Sequence, residues 1–153
     1  MKLRDELVKV ALEWENVFGV APRITASIAE YDAAMQIGFD EKEYSAYMQN
    51  VSAVQKGRDF IHKNKRFQVK ACRPSGKKGC KITKVPHVTN YEWDYFIWIE
   101  YNREYEIQEM RCFDREKFKA MFENKKRLCP EDMKKGKQLF PKKINPSTKG
   151  DPK

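Results

Sequence analysis

The chain has little of what marks a metal-stapled or secreted domain. Of its 153 residues only two are histidine, His62 and His87, and its four cysteines, Cys72, Cys80, Cys112 and Cys129, show no Cys-x-x-Cys spacing. Free thiols in a reducing cytoplasm are therefore the expectation, with a structural zinc or a disulfide pair as the alternative. No apolar run approaches the length of a bilayer span, and Met1-Lys2-Leu3-Arg4-Asp5-Glu6 lacks the pattern of a signal peptide. There is no internal repeat and no sign of a second domain, and the length suffices for one domain with an ordinary core. Negative charge is scarcest between Gln55 and Asn90, where one acid, Asp59, stands among 11 Lys and Arg.

What is abundant is positive charge, unevenly placed. The formal net charge is +9. Met1–Val54 and Tyr91–Asn124 are each −4, whereas Gln55–Asn90 is +10 and Lys125–Lys153 is +7. Basic blocks alternating with mildly acidic ones make a directed electrostatic surface suited to a polyanion. With nothing in the chain built to enter a membrane, nucleic acid is the expected partner.

Leu3, Leu7, Val10, Ala11, Trp14, Val17 and Phe18 recur at helical spacing and predict an amphipathic helix closed by Gly19. A second helix is expected from Thr25 or Ser27 to Gly38, with Ser27-Ile28-Ala29-Glu30 fitting a capping box. Residues 39–54 are ambiguous: Glu41–Met48 is compatible with a helix, and Val51–Val54 with a loop or a short strand. A basic hairpin follows over 58–73, turning at Lys63-Asn64-Lys65, and then a Pro/Gly/Lys loop, Arg73–Gly79. Trp93–Tyr101 and Tyr105–Cys112 read as strands, and Asp114 as the cap of a helix over Arg115–Phe122. Tyr91, Trp93, Tyr95, Phe96 and Trp98 read as sheet core rather than as a base-stacking platform. The expected fold is α/β: a mixed four- to five-stranded sheet flanked by helices, one domain over residues 1–140, with a basic flexible tail at 141–153.

Within the hairpin, Gln68 and Lys70 are two apart and share a face, and strand pairing can bring Asp59 beside them. A carboxylate, an amide oxygen and an ammonium held on strands can bind a hard divalent cation and orient a water next to a phosphate. Glu30 lies with Ala33, Ala34 and Ile37 on a stripe of otherwise small or apolar side chains. It could close the capping box, or reach the hairpin's polar face because its small neighbours permit close approach. Arg66, Arg73, Lys77, Lys78, Lys81 and Lys84 are candidate phosphate contacts, which position a duplex without reading its sequence. Each residue also has a plainer reading: Asp59 paired with Arg58 or Lys70, Gln68 as an exposed strand position, the lysines as solvated charge.

Taken in order, the segment Ile24–Ala34, then Gly57-Arg58-Asp59-Phe60-Ile61, Arg66-Phe67-Gln68-Val69-Lys70 and Trp93–Ile99, resembles the restriction-endonuclease-like nuclease superfamily over roughly residues 24–122. That superfamily carries an acid on an N-terminal helix, an Asp opening one strand, and acid-x-Lys on the next. The Gln-x-Lys variant is similar to that of the methylated-DNA restriction (Mrr-like) group and of some type II restriction enzymes. The resemblance implies a Mg2+-dependent endonuclease acting on double-stranded DNA, with Mn2+ able to substitute. It implies Asp59 as central metal ligand, Gln68 as a neutral ligand where an acid is commoner, and Glu30 holding a metal-bound water or a second ion. Lys70 would orient the attacking water. A homodimer is expected, since one site cuts one strand. The alternative is a non-catalytic nucleic-acid-binding module on the same fold, which has no need for an Asp59/Lys70 pair.

Overall fold

The computed structural model describes residues 2–51, 58–74, 84–86, 88 and 90–141. Lys77, Lys78, Lys81 and the tail beyond Pro141 lie outside them.

Helix α1 spans Leu3–Phe18 and stops where Gly19 turns left-handed (φ 81°), its N–H donating to the Glu15 carbonyl at 2.7 Å. Helix α2 spans Thr25–Ile37 with Ile24 as its N-cap and no side-chain cap. The Ser27–Glu30 capping box is thus corrected: starting at Thr25 puts Ser27 inside the first turn, and Glu30 is released from any capping duty. The ambiguous 39–54 region holds helix α3, Glu41–Asn50, fixed by a different capping box. Asp40 Oδ1 accepts from Glu43 N–H at 2.7 Å, and Glu43 Oε2 accepts from Asp40 N–H.

Strands β1 (Phe60–His62) and β2 (Lys65–Cys72) form the expected hairpin. Its turn is Lys63-Asn64, both at positive φ (47° and 64°), as a tight two-residue hairpin turn demands. Strand β3 is Tyr95–Tyr101, two residues shorter than expected at its start because Asp94 is occupied with the main chain of Arg66. Strand β4 is Ile107–Asp114. It starts late because Asn102 Oδ1 accepts from the N–H groups of Glu104 and Glu106, closing a turn with Tyr105 at φ 59°. Asp114 caps α4, Arg115–Phe122, as expected, accepting from Lys117 N–H at 2.8 Å. A one-turn helix α5 (Pro130–Met133) and a short strand β5 (Lys137–Phe140) are the last elements among the described residues.

The sheet is mixed and open, in the order β1-β2-β3-β4-β5, with β2 and β3 parallel and the other neighbours antiparallel. The expected α/β architecture is the observed one. Phe96, Ile97, Trp98 and Ile99 of β3 are fully buried, so β3 is the spine of two cores. On one face Ile97 and Ile99 meet α2 through Ile28, Ala29, Ala33 and Ala34. On the other, Phe96 and Trp98 pack with Trp93, Phe113, Phe118 and Phe122. The aromatic run is sheet core. No helix among the described residues is long and apolar enough to cross a membrane.

Two buried guanidinium forks fasten the helices to the sheet. Arg4 of α1 donates to Asp32 of α2 at 3.0 and 2.8 Å and to the Tyr105 carbonyl, while the Tyr101 hydroxyl of β3 donates to the same carboxylate at 2.7 Å. Arg73, just past β2, grips Glu15 of α1 through two bonds of 3.0 Å and lies over the Tyr105 ring. Those forks decide which side of α1 faces inward: Val8 and Ala11 are buried, and the apolar stripe from Leu3 to Phe18 is, Ala11 apart, exposed.

Asp32→Ala strands the Arg4 guanidinium and the Tyr101 hydroxyl at once, so a loss of about 3 kcal/mol is expected in urea denaturation. Tyr101→Phe, which leaves the ion pair whole, should cost about 1 kcal/mol. Equal losses for the two variants would mean that the fork contributes nothing beyond the hydroxyl.

Candidate functional site

The site forms where β1 runs out. Strand β1 pairs with β2 only over Lys65–Phe67, and Asp59, one residue before it, extends that ladder by donating its N–H to the Phe67 carbonyl at 2.8 Å. The Asp59 carboxylate then takes the place of further strand. Its Oδ2 accepts from Val69 N–H at 2.6 Å and from Gln68 Nε2 at 3.0 Å. An edge N–H that would otherwise lack a partner anchors the acid, and the Gln68 side chain braces it. In the sheet, Gln68 is registered with Phe96 and Lys70 with Trp98, while Val69 is registered with Ile97 and packs in the core that α2 covers.

Glu30 arrives from α2. Its neighbours Ala29, Ala33 and Ala34 are at most 1% exposed, and their small side chains let the helix lie close on β2 and carry a half-buried carboxylate to it. Burial pushes the Glu30 carboxyl up to about 7, the negative charge of Asp59 pushes the same way, and Lys70 pulls it back in part. Asp59 is also raised above the ordinary carboxylate range, first by burial, with the Val69 N–H and Lys70 opposing. Glu30, Asp59 and Lys70 therefore act on one another electrostatically in a partly desolvated space. Asp59 and Gln68 are hydrogen-bonded, and Glu30 and Lys70 lie within electrostatic range of Asp59.

The structure also adds a residue. Tyr44 of α3 is pushed up to about 12, by burial first and then by Glu30 and Asp59. It packs edge-on against Tyr31 and Phe39, and Tyr47, one turn on, accepts Ile61 N–H at 3.0 Å, tying α3 to β1. Helix α3 is a wall of the site. Glu41–Met48 is open to a helical reading, and the Asp40-x-x-Glu43 cap that starts the helix is the signal that would have settled it.

The expected phosphate contacts fare differently. Arg73 is corrected: its side chain is 4% exposed and is spent on Glu15 and the Arg103 carbonyl, so it is a structural fork. Arg66 is partly exposed and already paired. Its guanidinium makes two bonds of 3.2 Å to Asp94, whose carboxyl it holds down at about 2, and the pair locks the start of β3 to β2. Lys84 is exposed, and Lys77, Lys78 and Lys81 are outside the described residues.

Among the described residues no three His, Cys, Asp or Glu side chains gather as a metal site. The available donors are the carboxylates of Asp59 and Glu30 and the Gln68 amide oxygen, whose Nε2 already faces Asp59. All are hard oxygens. They do not suit zinc, which takes four nitrogen or sulfur ligands in its structural sites. They fit Mg2+, which takes one or two carboxylates together with substrate phosphate and retained waters.

Glu30 holds its proton more tightly in the folded chain (about 7) than an ordinary glutamate does (4.5). The stability this group contributes is full below about 4.5 and is lost as pH rises through about 7. Melting temperature in chelator should therefore fall between about pH 5 and pH 8, and Glu30→Gln should flatten that fall and be the more stable protein at the alkaline end. A Glu30→Gln curve parallel to wild type would place Glu30 in open water. No protein-family model matches the chain, and no curated protein matches it either.

Proposed function

We propose that this chain is a Mg2+-dependent endonuclease of restriction-enzyme type that hydrolyses phosphodiester bonds in double-stranded DNA within a reducing cytoplasm. The observation that carries the reading is the Asp59 carboxylate, pinned by Val69 N–H and Gln68 at the end of β1, sharing a desolvated volume with Glu30 and Lys70. The three described cysteines are free, in keeping with that compartment.

Mg2+, with Mn2+ as substitute, would be held by Asp59, the Gln68 amide oxygen and Glu30, and would supply charge to the scissile phosphate. The remaining work belongs to the side chains. Lys70 orients a water for in-line attack and offsets the charge that builds on the phosphate oxygens. Glu30 would hold a metal-bound water or a second ion, and the proton of the attacking water passes to solvent. The new bond joins water oxygen to phosphorus and the bond to the 3′ oxygen breaks, leaving a 5′-phosphate and, after protonation by solvent, a 3′-hydroxyl. Gln68 contributes no charge, so the pair of carboxylates is all that opposes the cation, and Mg2+ should bind weakly until DNA completes the shell.

Asp59→Asn keeps the size and removes the charge. It should lower Mg2+-dependent plasmid cleavage by about a hundredfold or more while DNA binding is retained or tightened, as carboxylate–phosphate repulsion is relieved. Lys70→Ala should stop cleavage and weaken binding slightly. Gln68→Glu adds a ligand and should stay active at lower Mg2+. Wild-type rates from Asp59→Asn would refute the site. A wild type that binds DNA but cuts none, of any sequence or modification state, with Mg2+ or Mn2+, would make the chain a non-catalytic nucleic-acid-binding module.

A further inference from the structure

Helix α1 turns its apolar stripe away from its own sheet. Leu3, Leu7, Val10, Trp14 and Val17 are spaced by four, three, four and three residues, the repeat that fits one helix against another of the same pitch. They are 79%, 41%, 58%, 52% and 70% exposed. Phe18 and Val20 extend the patch beyond them, also largely exposed. This is no loose helix: Arg4 and Glu15 on its opposite side are held by Asp32 and Arg73. Seven large side chains exposed to this degree offer several hundred Å2 of contiguous apolar surface, beyond the few hundred Å2 a monomer ordinarily shows and near the ~800 Å2 per partner of a stable interface.

We propose that this face pairs α1 with α1 of a second copy, antiparallel about Val10. An isologous pair requires a surface that fits itself, and α1 has both halves of such a fit. Beside the stripe, an open groove of about 360 Å3 runs between α1, α2 and α3, lined by Leu3, Leu7, Ile28, Tyr31 and Tyr44. In an antiparallel pair centred on Val10, Trp14 of one copy stands opposite Glu6 of the other, next to Leu3 and Leu7, which line that groove together with Arg4 and Glu41. The indole is the knob and the groove is the hole, twice over. Asp5, Glu6, Lys9 and Glu13, all exposed, make the polar rim that such an interface carries.

The pairing stands on the helix face alone. Its consequence, that two sites related by a two-fold axis cut both strands of a duplex, rests on the endonuclease reading. Light scattering after gel filtration should give the full-length protein a mass of twice 18.1 kDa. Trp14→Glu, at an exposed position, should keep the wild-type circular dichroism spectrum and melting temperature while weakening the dimer at least ~30-fold, as losing a central aromatic does. Val10→Cys should form a disulfide-linked dimer under mild oxidation that wild type, with its native cysteines, does not. A monomeric wild type at micromolar concentration, a Trp14→Glu protein that stays dimeric, or a Val10→Cys protein that fails to link overturns the proposal. The mass does not depend on activity, so a dimer that cuts nothing would refute the nuclease reading alone. If both hold, Trp14→Glu should nick plasmid but lose most double-strand cleavage.

Discussion

A carboxylate takes over from a strand at the edge of this sheet. Val69 N–H, which a longer β1 would have engaged through a carbonyl, donates to Asp59 Oδ2 instead, at 2.6 Å. An unpaired edge N–H is costly when buried, so the hydrogen bond that satisfies the backbone also fixes the acid where Gln68 and Lys70 leave the strand. The parallel β2–β3 pairing holds that strand from its other side, and the Arg66–Asp94 pair sets where the pairing begins. Helix α2 then closes over the edge on alanines, which is why a glutamate on it reaches a volume that bulkier neighbours would have held it away from.

The electrostatics separate this site from the other carboxylates of the chain. Glu15 and Asp94 are lowered by guanidinium forks, and Asp32 is bound by Arg4. Those pairs are structural and are satisfied within the fold. Glu30 and Asp59 are instead raised, by burial first, with Lys70 opposing. Perturbation of that kind accumulates at functional sites, and it is the ground on which a divalent cation is proposed here.

Much of this was legible from local pattern. Helical period and end signals placed α1 and α2, Asp114 placed α4, and period-two spacing put Gln68 and Lys70 together beside Asp59. What could not be read lies in contacts far apart in sequence. The rotation of α1 is set by Arg4 with Asp32, 28 residues on, and by Glu15 with Arg73, 58 residues on. Arg66 and Arg73 read as candidate phosphate contacts because a count of charge does not see a partner across the fold. Helix α3 stayed ambiguous because it is largely polar and buries no residue fully. Tyr44 was lost with it. Strand β5 is four residues long and meets β4 across an irregular register, too short to show a period.

The central claim, that Asp59 and its neighbours are a hard-cation site completed by DNA, is tested most directly by counting Mn2+ bound to the protein by electron paramagnetic resonance, with and without a duplex of non-hydrolysable backbone. The account predicts weak Mn2+ binding to the free protein, marked tightening when duplex is added, and loss of both in Asp59→Asn. Mn2+ binding unchanged by Asp59→Asn, or absent even with duplex present, would contradict it.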